Sequence, residues 1–296
     1  MTAKIIDGRK ISAEIREELK GDAARLKERG IVPGLSGILV GEDPGSVTYV
    51  GLKSKACEEI GIAEMMVHMP ETATERELFD TIGRLNKDPK VHGIFIQLPL
   101  PKHLTKVEDK ALAAILPEKD VDGFHATNVG RAWLGQAAFV PAVAVAIHEM
   151  LVRSGYDIKG KDVVIVNVDN MVGKPLASVL VQDKDKARAN VTLVYPTAPD
   201  LAAYTRRADV LVAAVNQPKF ITGDMVKPGA IVLDCGSNFV EDPVTKKRKT
   251  VGDVDFDAAK EKAEAITPVP GGVGPMLVTM LMANTVLSAK IAAGLA

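Results

Sequence analysis

Short apolar runs alternate with helical periodicity from one end of this chain to the other, and nothing else in the sequence narrows its fold as much. Runs that read as strands lie at 35–40, 65–69, 93–96, 162–167, 191–195, 210–214 and 230–234. Between them the spacing changes to that of helices. Ile11, Ile15, Leu19 and Leu26 mark a long amphipathic helix up to Gly30. Ser46 is placed to cap a helix carrying Val47, Val50, Cys57 and Ile60, which Gly61 ends. Thr74-Glu-Arg-Glu77 is a capping box ahead of Leu78, Ile82 and Leu85. Further helices are expected over 107–116, up to Ser154-Gly155, from near Gly173, and over 276–293, where the chain is apolar nearly all round. Buried strands joined by helices form parallel sheets covered on both faces, so the fold class is α/β. The pattern restarts near Pro141. Two domains are therefore expected: 1–140 joined by the last helix, 275–296, and a Rossmann-like parallel-sheet domain over 141–274.

Composition excludes several functions. Lys and Arg number 37 against 38 Asp and Glu, giving a net charge of −1 with the signs interspersed, which gives no footprint for nucleic acid. Cys57 and Cys235 make neither a disulfide framework nor a metal cluster, and the five histidines lack ligand spacing. No signal-peptide core opens the chain, and no membrane-spanning segment is expected. A cytoplasmic protein that binds neither metal, nucleic acid nor membrane is the expectation. Gln182 to Arg188 reads as a polar surface loop, and Lys246-Lys-Arg-Lys249 as a solvated hairpin tip.

Four segments carry chemistry. Tyr49 and Lys53 are spaced i, i+4 on the helix that follows the Gly41-Glu-Asp-Pro-Gly45 turn, which puts a phenol and an amine on one face at the carboxyl end of a strand. Gly93-Ile-Phe-Ile-Gln97 runs into Leu98-Pro-Leu-Pro101, and Lys119-Asp-Val-Asp122 ends in Gly123. Thr267-Pro-Val-Pro-Gly-Gly-Val-Gly-Pro275 is too rich in Gly and Pro for regular structure. It suits either a backbone that approaches something closely or an interdomain hinge.

In this order the four segments resemble the bifunctional methylenetetrahydrofolate dehydrogenase/methenyltetrahydrofolate cyclohydrolase family, and the resemblance runs from Asp7-Gly8-Arg9 to Asn284-Thr285. It implies oxidation of 5,10-methylenetetrahydrofolate with a nicotinamide cofactor, then hydrolysis of the methenyl product to 10-formyltetrahydrofolate. It also implies a homodimer, with the folate in the cleft between the domains. Lys53 would handle protons at the one-carbon bridge, Gln97 would orient Lys53 and water, Asp122 would bond the pterin, and Tyr49 would pack on the folate rings. Leu98, Pro270 and Gly271 would complete the folate site. Asn167, Val168, Asp169, Val172, Gly173, Tyr195, Pro196 and Asn216 would line the cofactor site.

The cofactor half departs from the family pattern. Asn167-Val-Asp169 stands where the family has Gly-Arg-Ser, and Tyr195-Pro196 where it has His-Ser. Pro141-Ala-Val-Ala-Val-Ala146 replaces Pro-Cys-Thr-Pro-x-Gly, and Leu277 a Thr. Val168 cannot pair with a 2′-phosphate as an Arg does, and Asp169 adds a negative charge. NAD in place of NADP, NADP held by other residues such as Lys174 or Arg206, and a cyclohydrolase without dehydrogenase activity all stay open. So does a non-catalytic folate- or nucleotide-binding protein on the same scaffold.

Overall fold

The computed structural model describes residues 2–241 and 248–296. Contacts divide the chain into two compact units. One comprises Ala13–Ala132, Gln136–Ala142 and Val278–Ala296; the other comprises Met1–Ser12, Trp133–Gly135 and Val143–Leu277.

The first unit is built on a small parallel sheet. Its central strand, Gly34–Val40, is buried at all seven positions, which explains its unbroken apolar sequence. It pairs with Ala63–Glu64 and Val67–Met69, and separately with Gly93–Ile96. The single strand expected over 65–69 is thus two, Ala63–Glu64 and Val67–Met69, with Met65 N still donating to Leu35 O at 2.9 Å between them. Helix Glu75–Lys87 has the expected capping box and buries Leu78, Ile82 and Leu85 against the sheet core. The helix expected over 107–116 is shorter: a 3-10 turn, Thr105–Val107, leads into Glu108–Ala114.

Helix Pro44–Ile60 corrects one expectation. Asp43, not Ser46, is its N-cap: the Asp43 carboxylate accepts from Ser46 N at 2.8 Å, and Pro44 takes the first helical position, where its missing N–H costs nothing. Ser46 lies buried within the first turn. The helix ends, as expected, at Gly61, whose φ of 88° few other residues tolerate.

In the other unit six parallel strands lie in the order Lys4–Ile5, Ala265–Ile266, Ile231–Asp234, Val210–Ala213, Asp162–Val166 and Asn190–Val194. The four central strands are buried from end to end apart from Asp162 at the start of one of them. The edge strand comes from the other end of the sequence. Lys4 and Ile5 pair with Ala265 and Ile266, so the opening residues, which the sequence places with the first domain, group with this sheet. Helix Gly173–Leu180 follows the strand Asp162–Val166, as the Val172-Gly173-Lys-Pro pattern predicts. Asn238–Glu241 and Arg248–Val251 form an antiparallel pair. Of the basic run, Lys246 and Lys247 lie outside the described residues; Arg248 and Lys249 are exposed on the second strand.

The final helix is Val273–Ala292 and starts earlier than the expected 276, because Val273, Gly274 and Pro275 form its first turn. By length and composition it could cross a membrane, but 61% of its apolar window is buried within the protein. Arg16 of the first helix, Gly8–Glu28, donates to Thr279 at 2.9 Å, and Lys290 pairs with Asp22 at 2.7 Å.

Candidate active site

Lys53 is half-buried on helix Pro44–Ile60, one turn after Tyr49, which is 45% exposed. The Lys53 ammonium lies 3.7 Å from the centre of the Phe95 ring, and Nζ donates to Gln97 Oε1 at 3.1 Å. Phe95 comes from strand Gly93–Ile96, and Gln97 extends that strand's ladder by donating its backbone N–H to Ile38 O. The Gln97 side chain is fixed from its other end, where Nε2 donates to Leu98 O at 2.9 Å. Its carbonyl oxygen is therefore the atom that faces the amine. Leu98 is half-buried and precedes a cis peptide to Pro99.

Burial pulls the Lys53 pKa below the ordinary lysine value, against the negative charge of Asp122 and a smaller contribution from Cys57. Burial pushes Asp122 up to about 6; Lys53 pulls it down and Asp120 adds to the rise. The two groups that the sequence nominates as acid–base and pterin partners are thus electrostatically coupled. Cys57, one turn beyond Lys53, is buried against Met282 and pushed up to about 12, so it stays a thiol.

The turn that presents Asp122 is held by a different carboxylate. Asp120 is buried, and its Oδ1 accepts from Gly123 N and Phe124 N at 3.1 and 3.2 Å. Its Oδ2 accepts from His125 N at 2.8 Å and Asn128 Nδ2 at 2.9 Å. Asn284, on the last helix, donates to Val121 O at 2.8 Å and Val140 O at 3.1 Å, gripping the peptide between the two acids. A Cβ on Gly123 would lie 2.6 Å from the Val140 carbonyl carbon, and its φ is 76°, so glycine is required there. The turn is held by Asp120, and the Asp122 carboxylate interacts electrostatically with Lys53. Phe95 and Asp120 are the functional residues that sequence reasoning missed. Asp120 had a signal, since Asp-x-Asp-Gly offers two carboxylates for one turn; Phe95 read only as core.

In the other unit four of the nominated cofactor residues, Asn167, Asp169, Val172 and Gly173, form one hydrogen-bonded loop. Asn167 is buried: its Oδ1 accepts from Asp169 N at 2.8 Å and Gly173 N at 2.9 Å, while Nδ2 donates to Asp169 Oδ2 and Ala214 O. Asp169 Oδ1 accepts from Met171 N at 2.9 Å and Val172 N at 2.7 Å. A Cβ on Gly173 would lie 2.3 Å from Asn167 O, which fixes glycine where the loop enters its helix. Val168 is half-buried, Tyr195 is 63% exposed and Pro196 half-buried just beyond strand Asn190–Val194, and Asn216 is exposed with a φ of 55°. A strand, a tight loop and a helix at the carboxyl edge of a parallel sheet fit a dinucleotide. The side chains of Val168 and Pro196 donate nothing to a 2′-phosphate.

Pro270 and Gly271 also belong to this unit, whereas Tyr49, Leu98 and Asp122 belong to the first. The Gly-Pro loop approaches the chain's own start. Gly8 N donates to Gly271 O at 3.0 Å, and a Cβ on Gly8 would lie 1.8 Å from Gly272 O.

Two family models match the chain: tetrahydrofolate dehydrogenase/cyclohydrolase, catalytic domain, over residues 6–122, and the NAD(P)-binding domain of the same family over 141–293. A curated bifunctional protein FolD from Syntrophus aciditrophicus is 50% identical over 295 residues, covering 100% of each chain. A crystal structure of bifunctional FolD from Campylobacter jejuni superposes with a TM-score of 0.92 at 44% identity, over 98% of this chain and 99% of that one. The Trypanosoma brucei enzyme, complexed with NADP and an inhibitor, gives 0.91 at 39%, covering 99% of both chains.

Proposed function

The chain belongs to the tetrahydrofolate dehydrogenase/cyclohydrolase family, and on that premise we propose that Lys53, Gln97, Asp122 and Tyr49 carry its chemistry. The enzyme oxidises 5,10-methylenetetrahydrofolate to methenyltetrahydrofolate with a nicotinamide cofactor and hydrolyses that product to 10-formyltetrahydrofolate.

The observation that carries the residue roles is the Lys53–Gln97 hydrogen bond of 3.1 Å on the face of Phe95, within the field of Asp122. An amine whose pKa is lowered by burial exchanges protons nearer neutrality than an exposed lysine does. In hydrolysis, the neutral amine takes a proton from water as its oxygen adds to the bridge carbon. The ammonium then returns the proton to the folate nitrogen as the carbon–nitrogen bond breaks, and the hydroxyl proton leaves to solvent as the formyl carbonyl forms. Gln97 Oε1 holds the amine in place for both transfers. Asp122, ionised above about pH 6, accepts hydrogen bonds from the donor edge of the pterin. Tyr49, one helical turn from Lys53, lies against the flat rings, and Leu98 adds an apolar wall.

In oxidation the nicotinamide supplies the hydride acceptor. Residues of the loop Asn167 to Gly173, with Tyr195, Pro196 and Asn216, hold the dinucleotide. With Val168 and Pro196 on that surface and Asp169 exposed beside them, NADP has no large advantage over NAD. A cytoplasmic homodimer completes the proposal, and sedimentation of the purified protein checks its assembly.

Parallel assays test the whole reading: methylenetetrahydrofolate with NAD, the same with NADP, and methenyltetrahydrofolate alone, for the parent protein and Lys53→Met. Unimpaired hydrolysis in a folded Lys53→Met removes Lys53 from the mechanism. A strong, salt-sensitive NADP preference shows that another basic residue, such as Lys174 or Arg206, does the work that Val168 cannot.

A further inference from the structure

A second buried carboxylate, outside every motif above, organises the loop that bears Asn216. Asp253 is fully buried. Its Oδ2 accepts from Val215 N at 2.6 Å and Asn216 N at 3.1 Å, and its Oδ1 from Gln217 N at 3.0 Å and Asn238 Nδ2 at 2.8 Å. Three successive backbone N–H groups therefore converge on one side chain, in a concavity of the kind that binds anions. Asp253, 36 to 38 residues further along the chain, fills it. Asn216, held at a φ of 55°, turns its side chain outward beyond the carboxyl end of strand Val210–Ala213.

Asp253 is itself anchored. Its backbone N–H donates to Asp234 Oδ1 at 2.9 Å, and Asp234 also accepts from Gly236 N and Val254 N. Asp234 ends the neighbouring strand, Ile231–Asp234, so the chain of bonds ties two adjacent strand ends to the loop. No side chain fits beside it: a Cβ on Gly252 would lie 1.8 Å from Asp234 Oδ2.

We infer that Asp253 is a positioning residue for the dehydrogenase reaction, holding Val215 to Gln217 in the shape that receives the dinucleotide. The inference rests on the proposed placement of the cofactor beside Asn216. Because Asp253 already occupies the loop's N–H groups, the loop meets an uncharged, hydrogen-bonding part of the cofactor and not a phosphate.

The family's second reaction provides the control, since hydrolysis of methenyltetrahydrofolate uses no dinucleotide. In Asp253→Asn the KM for NAD or NADP should rise about tenfold or more, while cyclohydrolase turnover stays within about twofold. Asn216→Ala, measured in parallel, tests the cofactor placement itself. A raised KM in Asp253→Asn with an unchanged one in Asn216→Ala keeps the role of Asp253 and moves the contact to the loop backbone. An unchanged dinucleotide KM in folded Asp253→Asn overturns the inference, and so does equal loss of both activities. If Asp253→Asn does not fold, Asn238→Ala removes one of the four donors and keeps the carboxylate; a KM rise of about threefold supports the role, and no change overturns it.

Discussion

The two units use their carboxylates in opposite ways. In the first unit, Asp120 takes three hydrogen bonds from the turn and one from Asn128, and Asp122, two residues on, interacts electrostatically with Lys53. In the other, Asp169, Asp234 and Asp253 are all occupied by backbone N–H groups, Asp169 by those of its own loop and Asp253 by those of residues 215–217. A carboxylate that holds a turn accepts from fixed donors and is lost to chemistry. One that is spared this role keeps its oxygens free for a ligand. The folate unit thus separates scaffold from reagent within one Asp-x-Asp sequence, while the cofactor unit uses its acids as scaffold.

The contrast breaks most directly at Asp120. Asp120→Ala leaves three backbone donors and the Asn128 amide without their acceptor, and should cost about 3–5 kcal/mol of stability by urea unfolding. A loss under about 1 kcal/mol would show that the turn does not depend on Asp120 and would dissolve the distinction between the two acids. Lys53→Met comes next. It keeps the apolar stem and the helix, so folding should hold while cyclohydrolase turnover drops about 10²-fold or more. Asp122→Ala should weaken binding of a folate analogue by about 1.5–3 kcal/mol and leave dinucleotide binding alone, as titration calorimetry would reveal.

A smaller effect concerns stability and pH. The folded-state pKa of Asp122, about 6, lies above the ordinary 3.8, so the folded protein binds this proton more tightly than the unfolded chain. The ionised form therefore opposes folding. The penalty is full above about pH 6 and gone below about pH 4. Asp122→Asn should stabilise the protein by about 1–2 kcal/mol at pH 7.5, with the advantage closing as pH falls to 4. A constant difference across that range would mean that the carboxylate is not perturbed. The smallest expected effect is the ratio of dehydrogenase rates with NADP and NAD at matched concentrations, which should stay within about threefold.

How much of this was legible in the sequence depended on which group supplies each bond. Apolar periodicity located both sheets and the buried last helix, because burial leaves a pattern that repeats along the chain. The i, i+4 pair Tyr49 and Lys53 was legible for the same reason. Local competition between similar side chains was not. Ser46 and Asp43 can both cap a helix, and Pro44 decides for Asp43 by fitting the first helical position. Nor does the sequence divide the labour between Asp120 and Asp122, since the answer lies in Asn128 and Asn284, 8 and 163 residues from the groups they bind. The edge strand Lys4–Ile5 was invisible because two residues carry no periodicity and the partner strand lies near the far end of the chain.

That two-residue strand also sets an order of events during synthesis. Lys4 and Ile5 leave the ribosome long before Ala265 and Ile266, the residues they pair with. The six-stranded sheet therefore cannot acquire this edge until residues 265–266 have emerged, whereas strands 34–40, 63–64, 67–69 and 93–96 of the other sheet are all made by residue 96. The nascent protein can complete the sheet that lies beside the Lys53 helix early, and it carries Lys4 and Ile5 unpaired until residues 265–266 are made.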